Sequence, residues 1–343
     1  GMGVSVLLIA LAVFRFQFLK RAPETTPLPG QTRWQASERR ALAFFLLVFL
    51  LLISGLSTGA YLHYTGYKRH FRAQVDDQLA AITDLKVNGL QDWRAEQLGD
   101  AEVLRRSPAF STLVQDYFQD PTATQAADML QAWLDSLRVA YGYERVFLLD
   151  TGGVERLASP SIPAPVAGHL VEDAAAVLES GQVTFLDFHR DAAEEPIYLA
   201  LLAPVYAEGD IDRPLGVVVL RIDPYRTLYP YLQQWPTPSE TAETLLIRRE
   251  GDTVLFLNEL RFQQDAALTL RYSLAETDIL AVKAALGQRG PVEGQDYRGH
   301  PVVGHLRAAP DSPWLLVARM DKAEVYAPLQ ERLWQTLLVL GIL

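Results

Sequence analysis

Two side chains able to bind a ligand lie two residues apart near the middle of the chain. Asp187 and His189 belong to Gln182–His189, a stretch whose composition predicts a β-strand. Side chains two apart share one face of a strand, so a carboxylate and an imidazole are expected side by side. Beside an arginine, they suit a small polar or zwitterionic ligand. The alternative is structural: Asp187 pairs with Arg190 or Arg145, and His189 lies on the rim.

The sequence shows no catalytic motif. The six histidines, at positions 63, 70, 169, 189, 300 and 305, have no HExxH or paired metal-ligand spacing, so no metal site and no cofactor are predicted. The chain has no cysteine, which excludes disulfides and thiolate chemistry. GxSxG, GxxxxGK[ST] and GxGxxG motifs do not occur. Asp150-Thr151-Gly152 matches the aspartic-protease triplet in letters only, because it lies at a turn and has no second copy.

The charge balance argues against a nucleic-acid-binding protein. The 343 residues include 41 acidic and 31 basic side chains, for a formal net charge of -10. A nucleic-acid-binding protein would carry a basic face or stripe, so no nucleic acid is expected as a partner. Hydrophobic residues make up 49% of the chain, enough to build a packed core.

One segment is long and apolar enough to cross a membrane. Ala41–Ala60 contains no charged residue and spans about 30 Å as a helix, the thickness of the hydrocarbon layer. The linker before it carries more basic than acidic residues, so the positive-inside rule places it in the cytoplasm and the chain after Ala60 outside. The predicted location is a bacterial inner membrane, with the main domain in the periplasm.

Two shorter apolar stretches lie near the ends of the sequence. Val4–Phe14 is either a truncated transmembrane helix or the apolar part of a signal peptide, and the lack of a small-residue cleavage site after it weakens the second interpretation. Leu333–Leu343 is uncharged but too short to cross a bilayer. We interpret it as the start of a second transmembrane helix leading to a cytoplasmic output module, rather than as a short amphipathic tail.

Two helices are predicted after the transmembrane segment. From Tyr67 to about Arg106, apolar residues recur at helical spacing with charges between them, which indicates a long stalk helix. Its apolar stripe can pack on the protein's own body or on a second copy, so a homodimer through the stalk and transmembrane helices is expected. A second helix covers Ala123–Ala140 and ends at Gly142.

The hydrophobic period then changes from helical to strand-like. A hairpin at Arg145–Asp150 and Val154–Ala158, a short helix at His169–Leu178 and three further strands predict a five-stranded antiparallel sheet with a helical face. After a connector helix, Pro224–Gln234, the pattern repeats around a helix at Glu276–Leu286 and predicts a second, smaller sheet. The fold class is therefore α+β, with a long N-terminal helix and two tandem antiparallel sheets between transmembrane helices.

Four stretches together resemble the double Cache domain, an extracytoplasmic sensor module of bacterial transmembrane receptors. They are YGYERVFLLDTGG (141–153), PIYLALLAPVYAEG (196–209), PLGVVVLRIDP (214–224) and YRGHPVVGHLRAAPDSPWLLVARMDKAEVY (297–326). The resemblance spans roughly residues 64–332. It implies that both sheets are PAS-like, that the membrane-distal one holds a ligand pocket and that the proximal one passes the signal on.

The resemblance implies a pocket in the first sheet domain, expected between the concave face of the sheet and the second helix with its following loop. Six residues can converge there and form the predicted ligand-binding set: Arg138, Tyr141, Tyr143, Asp187, His189 and Tyr198. Amino-acid-sensing members of the family carry an Arg-x-Trp-Tyr pattern. No Trp-Tyr pair follows Arg138, so the set of residues that clamps an amino acid is incomplete here.

These observations divide the chain into eight predicted segments. They are a possible truncated transmembrane segment (1–20), a cytoplasmic basic linker (21–40), a transmembrane helix (41–62), the stalk (63–106), the distal sensor domain (107–223), a connector (224–236), the proximal domain (237–322), and the exit helix with the start of a second transmembrane helix (323–343).

The predicted function is small-molecule sensing by a receptor whose output is a histidine kinase, a diguanylate cyclase or a chemoreceptor, with no enzyme within this chain. One alternative is a membrane-anchored periplasmic enzyme, which would need a nucleophile–base pair or a metal cluster. The other is a structural ectodomain that dimerises without a ligand.

Overall fold

The computed structural model of the chain describes residues 31–120, 124–162, 165–191 and 196–342. The predicted segment 1–20 and residues 21–30 of the basic linker lie outside the described residues. The chain forms two compact units, residues 1–70 and residues 71–343.

The described residues of the first unit belong to helix α1 (Gln31–Arg105). The apolar residues near its start are exposed: Phe44, Phe45 and Leu52 each expose more than 60% of their surface. Among the described residues, this is the one helix long and apolar enough, by length and composition, to cross a membrane.

The second unit contains the C-terminal part of α1 and two further helices before the first strand. Leu79 and Leu90 of α1 are buried. Helix α2 (Pro108–Gln119) begins at the N-cap Ser107, whose hydroxyl accepts a hydrogen bond from the backbone N–H of Phe110 at 3.3 Å. Helix α3 (Thr124–Tyr141) follows. Its extent agrees with the prediction of a helix at Ala123–Ala140, whereas α2 was not predicted.

Five strands form the first antiparallel sheet, which confirms the predicted strand number. They are β1 (Arg145–Asp150), β2 (Glu155–Ser159), β3 (Thr184–His189), β4 (Tyr198–Ala207) and β5 (Asp210–Ile222), in the spatial order β2-β1-β5-β4-β3. Helix α4 (Gly168–Ser180) connects β2 to β3 and ends at Gly181, whose φ of 68° is a left-handed conformation that glycine adopts without strain.

Helices cover both faces of this first sheet. On one face, Leu201 and Leu220 join an apolar cluster with residues of α1, α2 and α3. On the other face, Tyr198 and Val219 pack with Leu170 and its neighbours on α4. Because side chains alternate along a strand, β4 and the C-terminal half of β5 contribute to both cores, which explains why these segments are mostly buried.

The second antiparallel sheet has six strands rather than the five predicted, so it is not the smaller one. The strands are β6 (Glu243–Glu250), β7 (Thr253–Phe256), β8 (Arg271–Ser273), β9 (Gly290–Gln295), β10 (Pro301–Ala308) and β11 (Trp314–Asp321), in the order β8-β7-β6-β11-β10-β9. The additional strand is β8, whose three residues are too few to show a period of two.

Three more helices complete the second unit. They are α5 (Leu228–Gln233), which connects the two sheets along the chain, α6 (Leu280–Ala285), and α7 (Lys322–Ile342), which follows the last strand. The α+β class, the long N-terminal helix and the two antiparallel sheets are thus confirmed.

The two sheets are joined by packing and by hydrogen bonds. One apolar cluster contains Leu220 from the first sheet and Leu246 and Leu316 from the second. The hydroxyl of Tyr229 on α5 donates to the carbonyl oxygen of Leu257 at 2.7 Å. This shared core gives a change in one sheet a physical route to the other.

Candidate functional site

A group of polar side chains lies at one end of the first sheet, on the face covered by α4. The Tyr198 hydroxyl donates to Asp191 Oδ1 at 2.7 Å and lies 3.3 Å from His169 Nε2. The imidazole rings of His169 and His189 are 3.9 Å apart, centroid to centroid. His189 Nε2 is 3.3 Å from Asp191 Oδ1. We call His169, His189, Asp191 and Tyr198 the histidine cluster.

Each member of the histidine cluster lies at or near the end of a helix or a strand. His169 is in the first turn of α4, and His189 and Tyr198 are the last residue of β3 and the first of β4. His189 and Tyr198 are direct cross-strand partners, which brings their side chains together. Asp191 follows β3 by two residues. Element ends leave such polar groups partly open to solvent while the strands fix their positions.

The electrostatic environment keeps His189 neutral near pH 7. Burial lowers the pKa of His189 below its usual 6.5, and the neighbouring His169 lowers it further. The carboxylates of Asp191 and Asp173 act in the opposite direction, and the guanidinium of Arg248 adds to the lowering. A neutral imidazole carries a free lone pair, so it can accept a hydrogen bond or bind a metal ion.

A cation also lies against the histidine cluster. The guanidinium carbon of Arg221 is 3.9 Å from the centre of the Tyr198 ring, a favourable cation–π contact. Arg221 also lies 3.3 Å from a carboxylate oxygen of Glu144. Together with Arg221, the cluster provides a carboxylate, two imidazoles, a phenol and a guanidinium, the groups that hold small polar molecules through directional hydrogen bonds.

A depression of about 500 Å³ lies beside the histidine cluster and includes residues of both sheets. Its lining includes His189, Asp191, Arg248, Glu250, Leu268 and Arg271. A larger depression, about 580 Å³, lies next to the second sheet. Its lining includes Glu243, whose carboxylate already pairs with the buried Arg319 and is therefore less able to bind a ligand. We therefore assign the candidate site to the depression beside the histidine cluster.

The structure brings together two of the six residues in the predicted ligand-binding set, His189 and Tyr198. The other face of the sheet carries Tyr143, which is buried in the cluster formed with α1, α2 and α3. Tyr141 stacks on Tyr143 at a centroid distance of 6.0 Å and is half exposed. Arg138 Nε donates to the hydroxyl of Ser159 at 2.9 Å. These three residues of the α3 end therefore lie away from the histidine cluster.

Asp187 and His189 have different side-chain partners, although their two-residue spacing predicts one shared face. A β-bulge between Leu186 and His189 breaks the alternation of side chains along β3. Asp187 instead accepts from Trp314 Nε1 at 2.7 Å and from Arg248 Nη1 at 2.5 Å, both in the second sheet. The structural alternative for Asp187 therefore describes its contacts best, although its partner is Arg248 rather than Arg190 or Arg145.

Three residues of the site were not predicted: His169, Asp191 and Arg221. His169 and His189 are far apart in sequence and meet only because α4 folds back over the end of β3 and β4. No local spacing could have revealed this. A weak signal existed for Asp191, since it lies two residues after His189 at the end of a predicted strand.

The histidine cluster contains side chains of the types that bind metal ions. Among the described residues, one group of three metal-ligating side chains lies close enough to share an ion, His169, His189 and Asp191. Two imidazoles and one carboxylate are ligands that zinc and related ions accept.

Comparison with known proteins identifies the fold. No protein-family model and no curated protein sequence matches the chain. The ligand-binding domain of the Pseudomonas aeruginosa PAO1 amino acid chemoreceptor PctB, solved with L-Gln, superposes with a TM-score of 0.51 at 18% identity, over 77% of this chain and 98% of that domain. The corresponding domain of PctC, solved with GABA, gives 0.50 at 17% identity, over 72% and 100%.

These neighbours are double Cache sensor domains. At such low identity the likeness establishes the fold and nothing finer. The chain therefore has the double Cache fold, as the four sequence stretches predict.

Proposed function

We propose that the chain is the extracytoplasmic ligand-sensing region of a bacterial membrane signal-transduction receptor. The observation that carries the proposal is the histidine cluster, a half-buried polar group beside a depression in a double Cache fold. The structural neighbours are ligand-binding domains of chemoreceptors, which supports sensing rather than catalysis. The apolar exposed helix supports attachment to a membrane.

We propose the segment boundaries given by the sequence, with the sensor module at residues 107–223 and the proximal module at 237–322. Residues 41–62 would cross the inner membrane, with the two modules in the periplasm. Stalk helices of two copies would pair, and ligand binding would shift them against each other. The available energy is the difference in the ligand's affinity for the two signalling states, typically about 1–3 kcal/mol.

The ligand of this proposal is a small polar or zwitterionic molecule. The carboxylate of Asp191 can accept from an ammonium group, and the guanidinium of Arg221 can bind a carboxylate. The ligands in the PctB and PctC structures, L-Gln and GABA, carry both groups. The proposed set replaces Arg138, Tyr141, Tyr143 and Asp187 with His169, Asp191 and Arg221, and keeps His189 and Tyr198.

A thermal-shift screen of the full chain in detergent micelles tests this proposal. Amino acids and related zwitterions are added one at a time, and a true ligand raises the melting temperature because it binds the folded state. We expect Asp191→Asn to reduce the shift by weakening the ligand at least tenfold, equivalent to about 1.4 kcal/mol. Arg138→Ala is the matched control and keeps the shift.

Two outcomes would contradict the assignment. If Arg138→Ala abolishes the shift while Asp191→Asn preserves it, the ligand lies at the α3 end as the sequence predicts. If no small molecule shifts the melting temperature of the unaltered chain, the chain is not a sensor of such ligands, and a structural ectodomain becomes the better description.

A further inference from the structure

The distances within the histidine cluster are informative. His189 Nε2 lies 3.3 Å and His169 Nε2 lies 3.7 Å from the same oxygen, Asp191 Oδ1. Good N–H···O hydrogen bonds measure about 2.7–3.2 Å. Two ligand atoms on one tetrahedral zinc ion, each about 2.0–2.2 Å from it, lie about 3.3–3.6 Å apart. Both nitrogen–oxygen separations exceed the hydrogen-bond range, and one ligand atom from each of the three residues lies within 4.8 Å of the other two, close enough to share one ion.

We infer that His169, His189 and Asp191 bind one divalent transition-metal ion at the sensing site. Two imidazole nitrogens and a carboxylate oxygen select ions of the zinc, nickel and copper group over magnesium or calcium, which prefer all-oxygen sets. Three protein ligands leave a fourth position of the ion open. This inference rests on the proposed sensing function and deepens it, because a ligand carboxylate can occupy that position. Asp191 then acts on the ligand through the ion rather than by accepting from its ammonium group.

The surroundings of the three ligands fit a bound cation. Tyr198 donates to Asp191 Oδ1 at 2.7 Å and so holds the carboxylate in place, a common role for a side chain outside the ligand set. Asp173, four residues after His169 on α4, adds a second negative charge near His189.

Two arginines near the cluster are each paired with carboxylates. Arg248 binds Asp187 at 2.5 Å and also contacts Glu250. Arg221 lies 3.3 Å from Glu144. Because each guanidinium has an anionic partner, its repulsion of a divalent ion is reduced.

Zinc titration of the full chain tests the inference. The chain is purified without a polyhistidine tag, treated with a chelator, and titrated with Zn²⁺ in micelles by calorimetry. We expect one ion per chain, with binding at least tenfold weaker in His169→Ala, His189→Ala and Asp191→Asn. Tyr198→Phe should weaken binding about tenfold through the loss of an orienting hydrogen bond. His305→Gln, which alters a half-buried histidine of the second sheet, is the control and should bind as the unaltered chain does.

Folding and function are separated by further measurements. Melting temperatures measured without metal identify any variant that fails to fold. If a histidine variant fails to fold, zinc binding by the near-isosteric Asp191→Asn variant decides the test. Absorption of bound Co²⁺ in the visible range, lost in the histidine variants, provides a second readout. Zinc binding that is absent, or unchanged in all three ligand variants, overturns the inference. If zinc fails but a zwitterion still raises the melting temperature, the metal site is refuted and the sensing proposal stands.

Discussion

A group of polar side chains on the first sheet and another on the second differ in burial and in pairing. In the second sheet, Arg319 is fully buried and contacts Glu243, Asp296 at 3.2 Å and Asp321 at 3.0 Å. In the first sheet, the side chains of His169 and His189 are 32% and 40% exposed, and their closest charged partner is one carboxylate.

The difference shows how a polar group acquires a structural or a binding role. The Arg319 network is closed: Arg319 and Glu243 are cross-strand partners, and the Tyr297 hydroxyl donates to Glu243 at 2.9 Å. Most donors and acceptors are thus satisfied within the protein, although the buried Arg319 Nε has no hydrogen-bond partner among the described residues, so little is left for a ligand. His189 and Asp191 of the histidine cluster line a depression, so they can exchange their contacts for those of a ligand.

The sharpest test of this comparison is Arg319→Met, which removes the positive centre of the closed network. Glu243, Asp296 and Asp321 would then remain buried with fewer cationic partners. We expect a loss of about 3–5 kcal/mol in the free energy of unfolding, because breaking a buried ion pair leaves charges uncompensated. Thermal unfolding of the full chain in micelles, followed by circular dichroism, measures it.

A double variant distinguishes the cause of that loss. Adding Glu243→Gln to Arg319→Met removes one uncompensated charge and should recover part of the stability. A loss below about 1 kcal/mol in the single variant, within the range of ordinary surface substitutions, would show that the network does not stabilise the second sheet.

The sequence predicted the fold better than the site, for physical reasons. Strands and helix ends have local signals, such as the apolar run in β1 or Gly181 after α4. Helix α2 was not predicted, although serine followed by proline is a common helix start, here Ser107-Pro108. The site depends on contacts between residues distant in sequence and on a β-bulge before His189, neither of which a single sequence encodes in its spacing.

A smaller effect is expected from Asp187→Ala, at the boundary between the two sheets. Asp187 accepts from the indole N–H of Trp314, a residue only 1% exposed, and pairs with Arg248. Its removal leaves a buried donor unsatisfied, which costs about 1–3 kcal/mol. Chemical denaturation of the full chain in micelles measures this loss, and Asp187→Asn, which keeps an acceptor for Trp314, should lose less.

Asp187→Ala also tests whether Asp187 only stabilises the fold or also binds the ligand. If Asp187 serves structure alone, any ligand or zinc that stabilises the unaltered chain should still raise the melting temperature of Asp187→Ala. A variant of normal stability that no longer responds would place Asp187 in the binding site, as the sequence predicted.

The smallest effect concerns His305, the half-buried histidine of β10. Burial lowers its pKa below 6.5, and Asp76 on α1 opposes that change. The unfolded chain therefore takes up a proton at a higher pH than the folded chain does, so this contribution to stability is present above pH ~6.5 and is lost as the pH falls through the folded-state pKa. Melting temperatures between pH ~7.5 and ~5.5 should fall less steeply in His305→Gln than in the unaltered chain.

Because His305 lies outside the histidine cluster, this change in slope should be the same with and without Zn²⁺. A zinc-dependent change would instead couple the second sheet to the metal site.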